Sequence, residues 1–436
     1  MSFEQASSYL DGLGTDAMRA APPSLARIQA LCDALDNPER SISSIHIAGT
    51  NGKTSTARLA ASILAATGLS VGTYTSPHLQ TVRERISLSG RPLSEEAFGE
   101  VFDHLRPYLE MVESGLGERL SYFEVLTAMF FLWAAESVDV AVVETGLGGR
   151  WDATNVMSSS VCVVTNVGLD HTDILGEDRE SIAREKAGIV KPGSVLVTGE
   201  RAPDVLAVLA KEAALNGAEL SVMERDFGVT EDRVALGGRY LSGRVASQEY
   251  EGLFLPLHGV HQAHNAAVAL EAVARFLPAA PERELVQQGL SAVEVPGRLE
   301  VVRAAGGSAA VVLDVAHNPD GAAALVAGLA EAFAFDKVRF VIGVLEDKDL
   351  HGILGELAQL PCSLVATQAR TSRAVPADEV RAVAEGLGLE CAVADDVAGG
   401  VDLAVGATSE IELVCVTGSH YVVGEARSHL LEGSAE

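Results

Sequence analysis

Gly52-Lys53-Thr54 is a combination that can hold phosphate. It lies in SIHIAGTNGKTSTARLAASILAATG, residues 44–68, between a short apolar run and a stretch with helical spacing. In such a turn the backbone N–H groups and the start of the following helix make an anion site. Gly49 and Gly52 let the backbone curl around Thr50 and Asn51. Lys53 is placed to reach the β- and γ-phosphates, and Thr54 to face the phosphates and a metal. The usual spacing, G-x-x-x-x-G-K-[ST], puts a glycine five residues before the glycine of GKT. Ile47 stands there instead, so a tighter loop is expected. The bland alternative is a strand-to-helix turn with a surface lysine.

Three polar patches suit a cation. An apolar run from Val138 to Val143 ends in Glu144 and continues as TGLGGRWDATN. A carboxylate leaving a buried strand beside a phosphate loop is a usual place for a Mg²⁺ ligand. YTSPHL offers Ser76 and His78, and TNVGLDHTDILG offers Asp170, His171 and Asp173. Each patch follows a strand pattern, and that edge is where open α/β sheets bind ligands. Taken singly, Glu144 reads equally as a capping or ion-paired residue. Lys186, in REKAGIVKPG, reads from chemistry alone as a salt-bridged lysine. Its alternative is a buried neutral amine, the form that takes up CO₂ as a carbamate. Burial lowers a lysine pKa in that direction.

The elements that must position these residues alternate. Ile45 to Ala48, Val138 to Val143, Val161 to Asn166 and Ser194 to Thr198 read as buried strands. Thr54 to Ala66, Phe123 to Ala135 and Asp204 to Leu215 read as helices. This is the rhythm of a parallel sheet covered on both faces. From Glu224 to Leu257 short Gly-punctuated segments indicate β-hairpin decoration. Helices follow at Ala263 to Phe276 and Glu282 to Gln288. Pro296-Gly297 marks a hinge, after which the strand–helix rhythm restarts. The expected fold class is α/β. An N-terminal P-loop ATP-binding parallel-sheet domain, residues 1–296, precedes a smaller C-terminal Rossmann-like α/β domain, residues 297–436. For 436 residues, two or three domains accord with ~100–200 residues each.

Composition narrows the partners. Sixty acids against 32 bases give a formal charge of −28. Such a field repels nucleic acid and anionic membrane, so no nucleic acid and no membrane partner is expected. An anionic substrate then needs local donors and metal ions. The five cysteines are scattered, four of them in apolar surroundings, and read as small core residues in a reducing cytoplasm. The first residues, MSFEQASSYLDGLG, carry no signal-peptide pattern.

Together the motifs resemble the bacterial folylpolyglutamate synthase/dihydrofolate synthase family, within the Mur-type amide ligases. The resembling stretches are GTNGKTS, TSPHL, ERI, SYFE, ETGLGGRWDATN, LDHTDILG, REKAGI, HQAHNAAVA, PGRLE and DVAHNP. They run from Gly49 to Pro319 in the family's order. The resemblance implies a Mur-ligase-like central domain and a C-terminal glutamate ligase domain. It implies that Gly49 to Thr54, Asn265, Arg298 and Asp314 bind ATP, and that Ser76, Glu144, His171 and Lys186 serve the metal. Lys186 matches the family's carbamylated lysine. Arg27, Ser121, Phe123, Glu124 and Asp152 align with the pteridine pocket, and His317 with the reaction centre. From the residues alone, Phe123 reads equally as core and Glu124 as a first-turn helix carboxylate. Ser121 replaces a common Thr, and Trp151 a common Leu, a larger ring expected to reshape the pocket.

The implied reaction phosphorylates a carboxylate with ATP and one or two Mg²⁺, after which the glutamate amine displaces phosphate. Lys53, Lys186, His171 and His317 are the expected catalytic residues, with closure about the hinge to exclude water. The expected substrates are ATP, L-glutamate and dihydropteroate or reduced folates, met by a cytoplasmic monomer. Three rivals stand beside this. One is another Mur-type amino-acid ligase. Another is a P-loop ATPase switch without ligase activity. The third, a dinucleotide oxidoreductase, lacks its G-x-G-x-x-G loop.

Overall fold

The computed structural model describes residues 2–13, 24–303, 310–407 and 411–432. It divides into two compact units. The first comprises residues 1–232, 240–255 and 263–294; the second comprises 233–239, 256–262 and 295–436.

The first unit is built on eight strands. They are β1 (Ser44–Ala48), β2 (Val71–Tyr74), β3 (Ile86–Leu88), β4 (Arg91–Pro92), β5 (Val140–Glu144), β6 (Val161–Val164), β7 (Val195–Thr198) and β8 (Glu219–Val222). Their order is β4-β3-β2-β5-β1-β6-β7-β8. The pairs from β2 to β8 are parallel. The β2–β3 and β3–β4 pairs are antiparallel, an edge the expected all-parallel pattern did not include. The central strands are apolar throughout because both faces are covered.

Helices α1 (Phe3–Asp11), α2 (Ala26–Ala34), α3 (Lys53–Ala66), α4 (Glu95–Leu116) and α5 (Tyr122–Ser137) precede β5. Of these, α1, α2 and α4 were not read from the sequence. The signal for α4 was present: Phe98, Phe102, Leu105, Leu109 and Val112 recur at helical spacing and are buried. Helix α5 is apolar on nearly every side, as an interior helix must be. It buries Val125, Leu126, Met129, Phe130 and Phe131. Phe130 stacks on Tyr74 at 5.1 Å between centroids, and each such buried ring contributes about 1.5–3 kcal/mol.

On the other face lie α6 (Thr172–Leu175), α7 (Arg179–Lys186) and α8 (Pro203–Leu215), around a core that includes Ile182, Ile189, Leu196 and Leu209. Next, β9 (Gly228–Ala235), β10 (Gly238–Val245) and β11 (Gln248–Leu255) form a separate three-stranded sheet. Helices α9 (Val260–Phe276) and α10 (Arg283–Ala292) follow it.

The second unit contains β12 (Glu300–Arg303), β13 (Ala310–Leu313), β14 (Lys337–Ile342), β15 (Cys362–Ala366), β16 (Cys391–Val393) and β17 (Glu412–Thr417). Their order is β12-β13-β17-β14-β15-β16. All pairs are parallel except β12–β13. Helices α11 (Pro319–Ala332), α12 (Leu350–Leu357), α13 (Ala377–Gly386), α14 (Val397–Gly406) and α15 (His420–Glu432) alternate with the strands.

Cys32, Cys162 and Cys415 are buried, but Cys362 and Cys391 are only half-buried. Three cysteines rather than four are therefore core residues, because the edge strand β16 leaves its neighbours partly uncovered. Among the described residues no helix is long and apolar enough to cross a membrane.

Candidate active site

The sheet order sets β2, β5, β1 and β6 side by side and parallel. The turns leaving their C-terminal ends therefore share one edge. TSPHL, ETGLGG, GTNGKT and TNVGLDH, far apart in sequence, become neighbours there.

The phosphate loop joins β1 to α3 with Gly52 as the helix N-cap, at φ 81°. Among the described residues no side chain caps this helix, so its first N–H groups stay available to an anion. The β6 turn braces the loop. Asn166 accepts from Thr50 N at its carbonyl (3.0 Å) and from Asn51 N at Oδ1 (2.9 Å). Thr165 Oγ1 donates to Asn51 O at 2.7 Å. Sequence reasoning missed this brace; its signal was the polar pair Thr165-Asn166 directly after an apolar strand. A Cβ on Gly49 would lie 1.8 Å from Thr165 Oγ1 and 3.1 Å from its Cβ, so the threonine hydroxyl would have to leave its place against Asn51 O. A Cβ on Gly52 would lie 2.5 Å from Asn265 Oδ1, which places Asn265 of α9 against the loop.

Gly49→Ala should therefore push away the Thr165 hydroxyl that holds Asn51. We expect a stability loss of about 1–3 kcal/mol. ATP should then no longer raise the denaturation midpoint. A variant with wild-type thermal stabilisation by ATP would remove the loop from the nucleotide site.

Glu144, the last residue of β5, is 1% exposed. Thr54 Oγ1 donates to its two oxygens at 3.1 and 2.9 Å, and Ser76 N donates to Oε2 at 3.2 Å. Thr54, Ser76 and Glu144 thus meet. This is an oxygen donor set around one carboxylate next to a phosphate loop, which fits Mg²⁺ completed by phosphate oxygens and water. Among the described residues no three His, Cys, Asp or Glu side chains gather as metal ligands. A metal here would meet Glu144, the Ser76 hydroxyl and the substrate first, with His171 and Lys186 to be added from the neighbouring turns. His171 stands at the N-cap of α6 at φ 51°, with its N–H on Asp170 Oδ1 at 2.9 Å and its Nε2 3.8 Å from the same atom. His78 accepts from Arg85 Nε at Nδ1, 3.0 Å. Burial, aided by the Arg85 charge, lowers its pKa to about 4, so it is a neutral structural imidazole.

Two lysines converge on one carbonyl. Lys53 Nζ donates to Gly49 O at 3.1 Å and to Thr50 O at 3.3 Å. Lys186 Nζ, from the end of α7, donates to Gly49 O at 2.9 Å. Lys186 is 4% exposed. Burial first, then the Lys53 charge, lowers its pKa to about 7, against the opposing pull of Asp170 and Asp152. Among the described residues Lys186 makes no salt bridge; it is a buried amine, partly neutral near neutrality.

The expected pocket residues fall into two groups. Ser121 and Glu124 form the capping box of α5, with Ser121 N donating to Glu124 Oε2 at 2.8 Å and Glu124 N to Ser121 Oγ at 3.3 Å. Arg27 Nε, from α2, reaches both Glu124 oxygens at 3.1 and 3.2 Å. Phe123 lies over the turn after Glu144: a Cβ on Gly146 would meet its Cζ at 2.7 Å. Asp152 closes that turn. Its Oδ2 accepts from Gly146 N at 2.9 Å and Leu147 N at 3.0 Å, and its Oδ1 from Thr154 N at 3.1 Å and from the Thr154 hydroxyl. Burial raises its pKa against these donors. Trp151 is 46% exposed.

In the second unit Asp314 accepts from Leu299 N at Oδ2 and from Ala316 N at Oδ1, both 2.9 Å. Burial raises its pKa and the Arg298 charge opposes the rise. Arg298 Nη1 donates to Gly297 O at 3.2 Å. His317 holds Val315 O through Nδ1 at 2.8 Å and packs on His420 at 5.4 Å between centroids.

Residues 297–420 match the model of the Mur ligase, glutamate ligase domain. The chain is 40% identical to the dihydrofolate synthase/folylpolyglutamate synthase of Mycobacterium tuberculosis, over 93% of this chain and 90% of that protein. It is 33% identical to the Bacillus subtilis protein of that name, over 98% and 99%. Among solved structures, Mycobacterium tuberculosis folylpolyglutamate synthase complexed with ADP is similar at a TM-score of 0.92 and 39% identity, over 98% and 97% of the chains. The Escherichia coli protein in complex with DHPP and ADP is similar at 0.87 and 31%, over 100% and 99%. A bifunctional folylpolyglutamate synthase/dihydrofolate synthase with Mn, AMPPNP and L-glutamate bound is similar at 0.84 and 33%, over 99% and 98%.

Proposed function

The chain belongs to the dihydrofolate synthase/folylpolyglutamate synthase family, and on that premise we propose how its residues divide the work of an ATP-dependent carboxylate–amine ligase. The reaction adds L-glutamate to dihydropteroate, to folate (poly)glutamates, or to both. A carboxylate is a poor acyl donor because oxide would have to leave. Phosphoryl transfer from ATP gives an acyl phosphate. The glutamate amine attacks it and phosphate departs.

All the reactants are anionic, so positioning and charge neutralisation dominate. The observation that carries this reading is the junction of Glu144 with Thr54, which ties a buried carboxylate to the first turn of the phosphate-loop helix. The uncapped N–H groups of α3 and the Lys53 ammonium receive the phosphates, with Gly49, Thr50, Asn51, Gly52 and Asn265 shaping the loop. Glu144, Ser76 and His171, with Lys186 in its carbamate form, would hold Mg²⁺, which when bound polarises the phosphoryl oxygens. Arg27, Ser121, Phe123 and Glu124 wall the pteridine, and Asp152 contributes through the turn it closes. Arg298 and Asp314 grip ATP and His317 serves the reacting groups. A cytoplasmic monomer belongs to the same proposal.

Phosphate release with ATP, Mg²⁺ and glutamate tests the reading, comparing dihydropteroate with a reduced folate monoglutamate. Activity with both marks a bifunctional enzyme. Activity with neither, but with another amino acid, places the chain with other Mur-type ligases.

Carbamylation of Lys186 is part of the proposal. Only the neutral amine reacts with CO₂, and a pKa near 7 leaves that form abundant at neutral pH. As pH falls through 7 the folded amine takes up its proton, so the modification should fade on acidification. With ¹³C-labelled CO₂, a carbamate resonance should be present at pH 8, reduced at pH 6 and absent in Lys186→Ala. That variant should lose activity and regain part of it with acetate. A Lys186 that stays unlabelled at pH 8 would end the idea.

A further inference from the structure

His46 occupies the middle of β1, three residues before Gly49, and is 0% exposed. Its register partners are Val143 and Cys162 on the flanking strands. Its Nε2 lies 2.8 Å from Thr154 Oγ1. The Thr154 hydroxyl has one proton, which goes to Asp152 Oδ1. Toward His46 the hydroxyl must therefore accept, and this fixes the imidazole proton on Nε2. The other nitrogen, Nδ1, is then a buried acceptor without a partner among the described residues.

An unpaired buried acceptor works against folding, and a hydrocarbon at this position would not carry one. The strand keeps an imidazole at a cost to stability, so what its Nε2–H holds calls for a reason. The chain of bonds runs from His46 through Thr154 to Asp152, and from Asp152 to the N–H groups of Gly146 and Leu147. That turn begins two residues after Glu144 and lies under the Phe123 ring. Burial holds the His46 pKa at about 3, so the imidazole stays neutral and the bond order does not switch at ordinary pH.

We propose that His46 is a positioning residue of this ligase: through Thr154 and Asp152 it fixes the Gly146–Leu147 turn in the shape that receives the pteroyl substrate against Phe123. The inference rests on reading Phe123 and Asp152 as part of the substrate wall. His46 does not touch substrate. It decides which lone pairs of Thr154 and Asp152 are left to order the turn.

The test measures KM and kcat for dihydropteroate, for a reduced folate and for ATP in His46→Leu, His46→Gln and Thr154→Val, with thermal denaturation of each. His46→Leu should raise KM for the pteroyl substrate about fivefold to tenfold, the worth of one lost buried hydrogen bond. KM for ATP should stay within about twofold, and the denaturation midpoint should not fall, because the orphan acceptor is gone. Glutamine places an N–H near the position of Nε2, so His46→Gln should restore most of the pteroyl affinity. Thr154→Val should resemble His46→Leu, and the double variant should be no worse than either, since both cut the same chain. If His46→Leu does not fold, Thr154→Val and His46→Gln decide alone. Wild-type pteroyl KM in Thr154→Val, additive losses, or equal losses for every substrate accompanied by a lower midpoint would overturn the proposal. A wild-type enzyme active with neither pteroyl substrate would remove the ligase reading itself, and this inference with it.

Discussion

Lys53→Ala is expected to abolish phosphoryl transfer, with phosphate release falling by about 10³-fold or more. The ammonium is the cation that the phosphate loop itself provides. It hydrogen-bonds to Gly49 O and Thr50 O, which sets its head group over the turn proposed to receive the phosphates. In a chain with a net charge of −28, little general attraction compensates for its loss. The nearest replacement is Lys186, on the same Gly49 carbonyl. Its pKa is lowered partly by the Lys53 charge, so removing Lys53 should raise it. A more fully protonated Lys186 takes up less CO₂, and the variant should lose carbamate signal as well as turnover. The measurement is phosphate release with ATP, Mg²⁺, glutamate and either acyl donor, together with a denaturation curve showing that the fold persists. Near-normal release from folded Lys53→Ala would refute the loop assignment.

Glu144→Gln is expected to lower turnover about 100-fold and to raise the Mg²⁺ concentration needed for half-maximal rate. The carboxylate accepts from Thr54 at both oxygens and from Ser76 N at one. An amide keeps one oxygen and turns the other position into a donor. Either the Ser76 N–H or the Thr54 hydroxyl then faces an NH₂ group in a site 1% exposed. The negative charge that would hold the cation is also gone. A titration of rate against Mg²⁺ separates the two effects: a lost ligand raises the requirement, whereas a disturbed Thr54 lowers the rate at saturating metal. An unchanged Mg²⁺ dependence would leave Glu144 as an anchor for Thr54 and remove it from the metal site.

The capping box of α5 shows how far a local reading reaches. Ser121-x-x-Glu124 can be recognised from spacing as a helix start, and the structure contains that start. Spacing does not reveal that Arg27, 97 positions away, closes on the same carboxylate. Glu124 therefore has a structural part, which the substrate-wall proposal must share. Asp152 is similar. Its motif suggested a pocket residue, yet four donors already converge on its two oxygens.

The sequence by itself determined the βα unit around Gly49–Thr54, the strand ending in Glu144, the hairpin decoration and the restart of the α/β rhythm after Gly297. These follow from short-range physics: apolar runs, helical spacing and glycine at a turn. It was less plain at α4, where Pro107 inside the helix stands against the helical spacing of its buried residues. Only the tertiary structure decided which turns become neighbours. The strand order places β5 and β6 on either side of β1, and from that come the Thr54–Glu144 bond, the Asn166 brace, the two lysines on Gly49 O and the chain from His46 to Asp152. Apart from Lys53 on Gly49 O, each joins residues 90 or more positions apart, and its worth depends on burial, because a hydrogen bond or a lysine pKa is set by the water that packing excludes. A one-dimensional pattern carries residue types and local periods; the dielectric around a side chain exists only once the chain has folded around it.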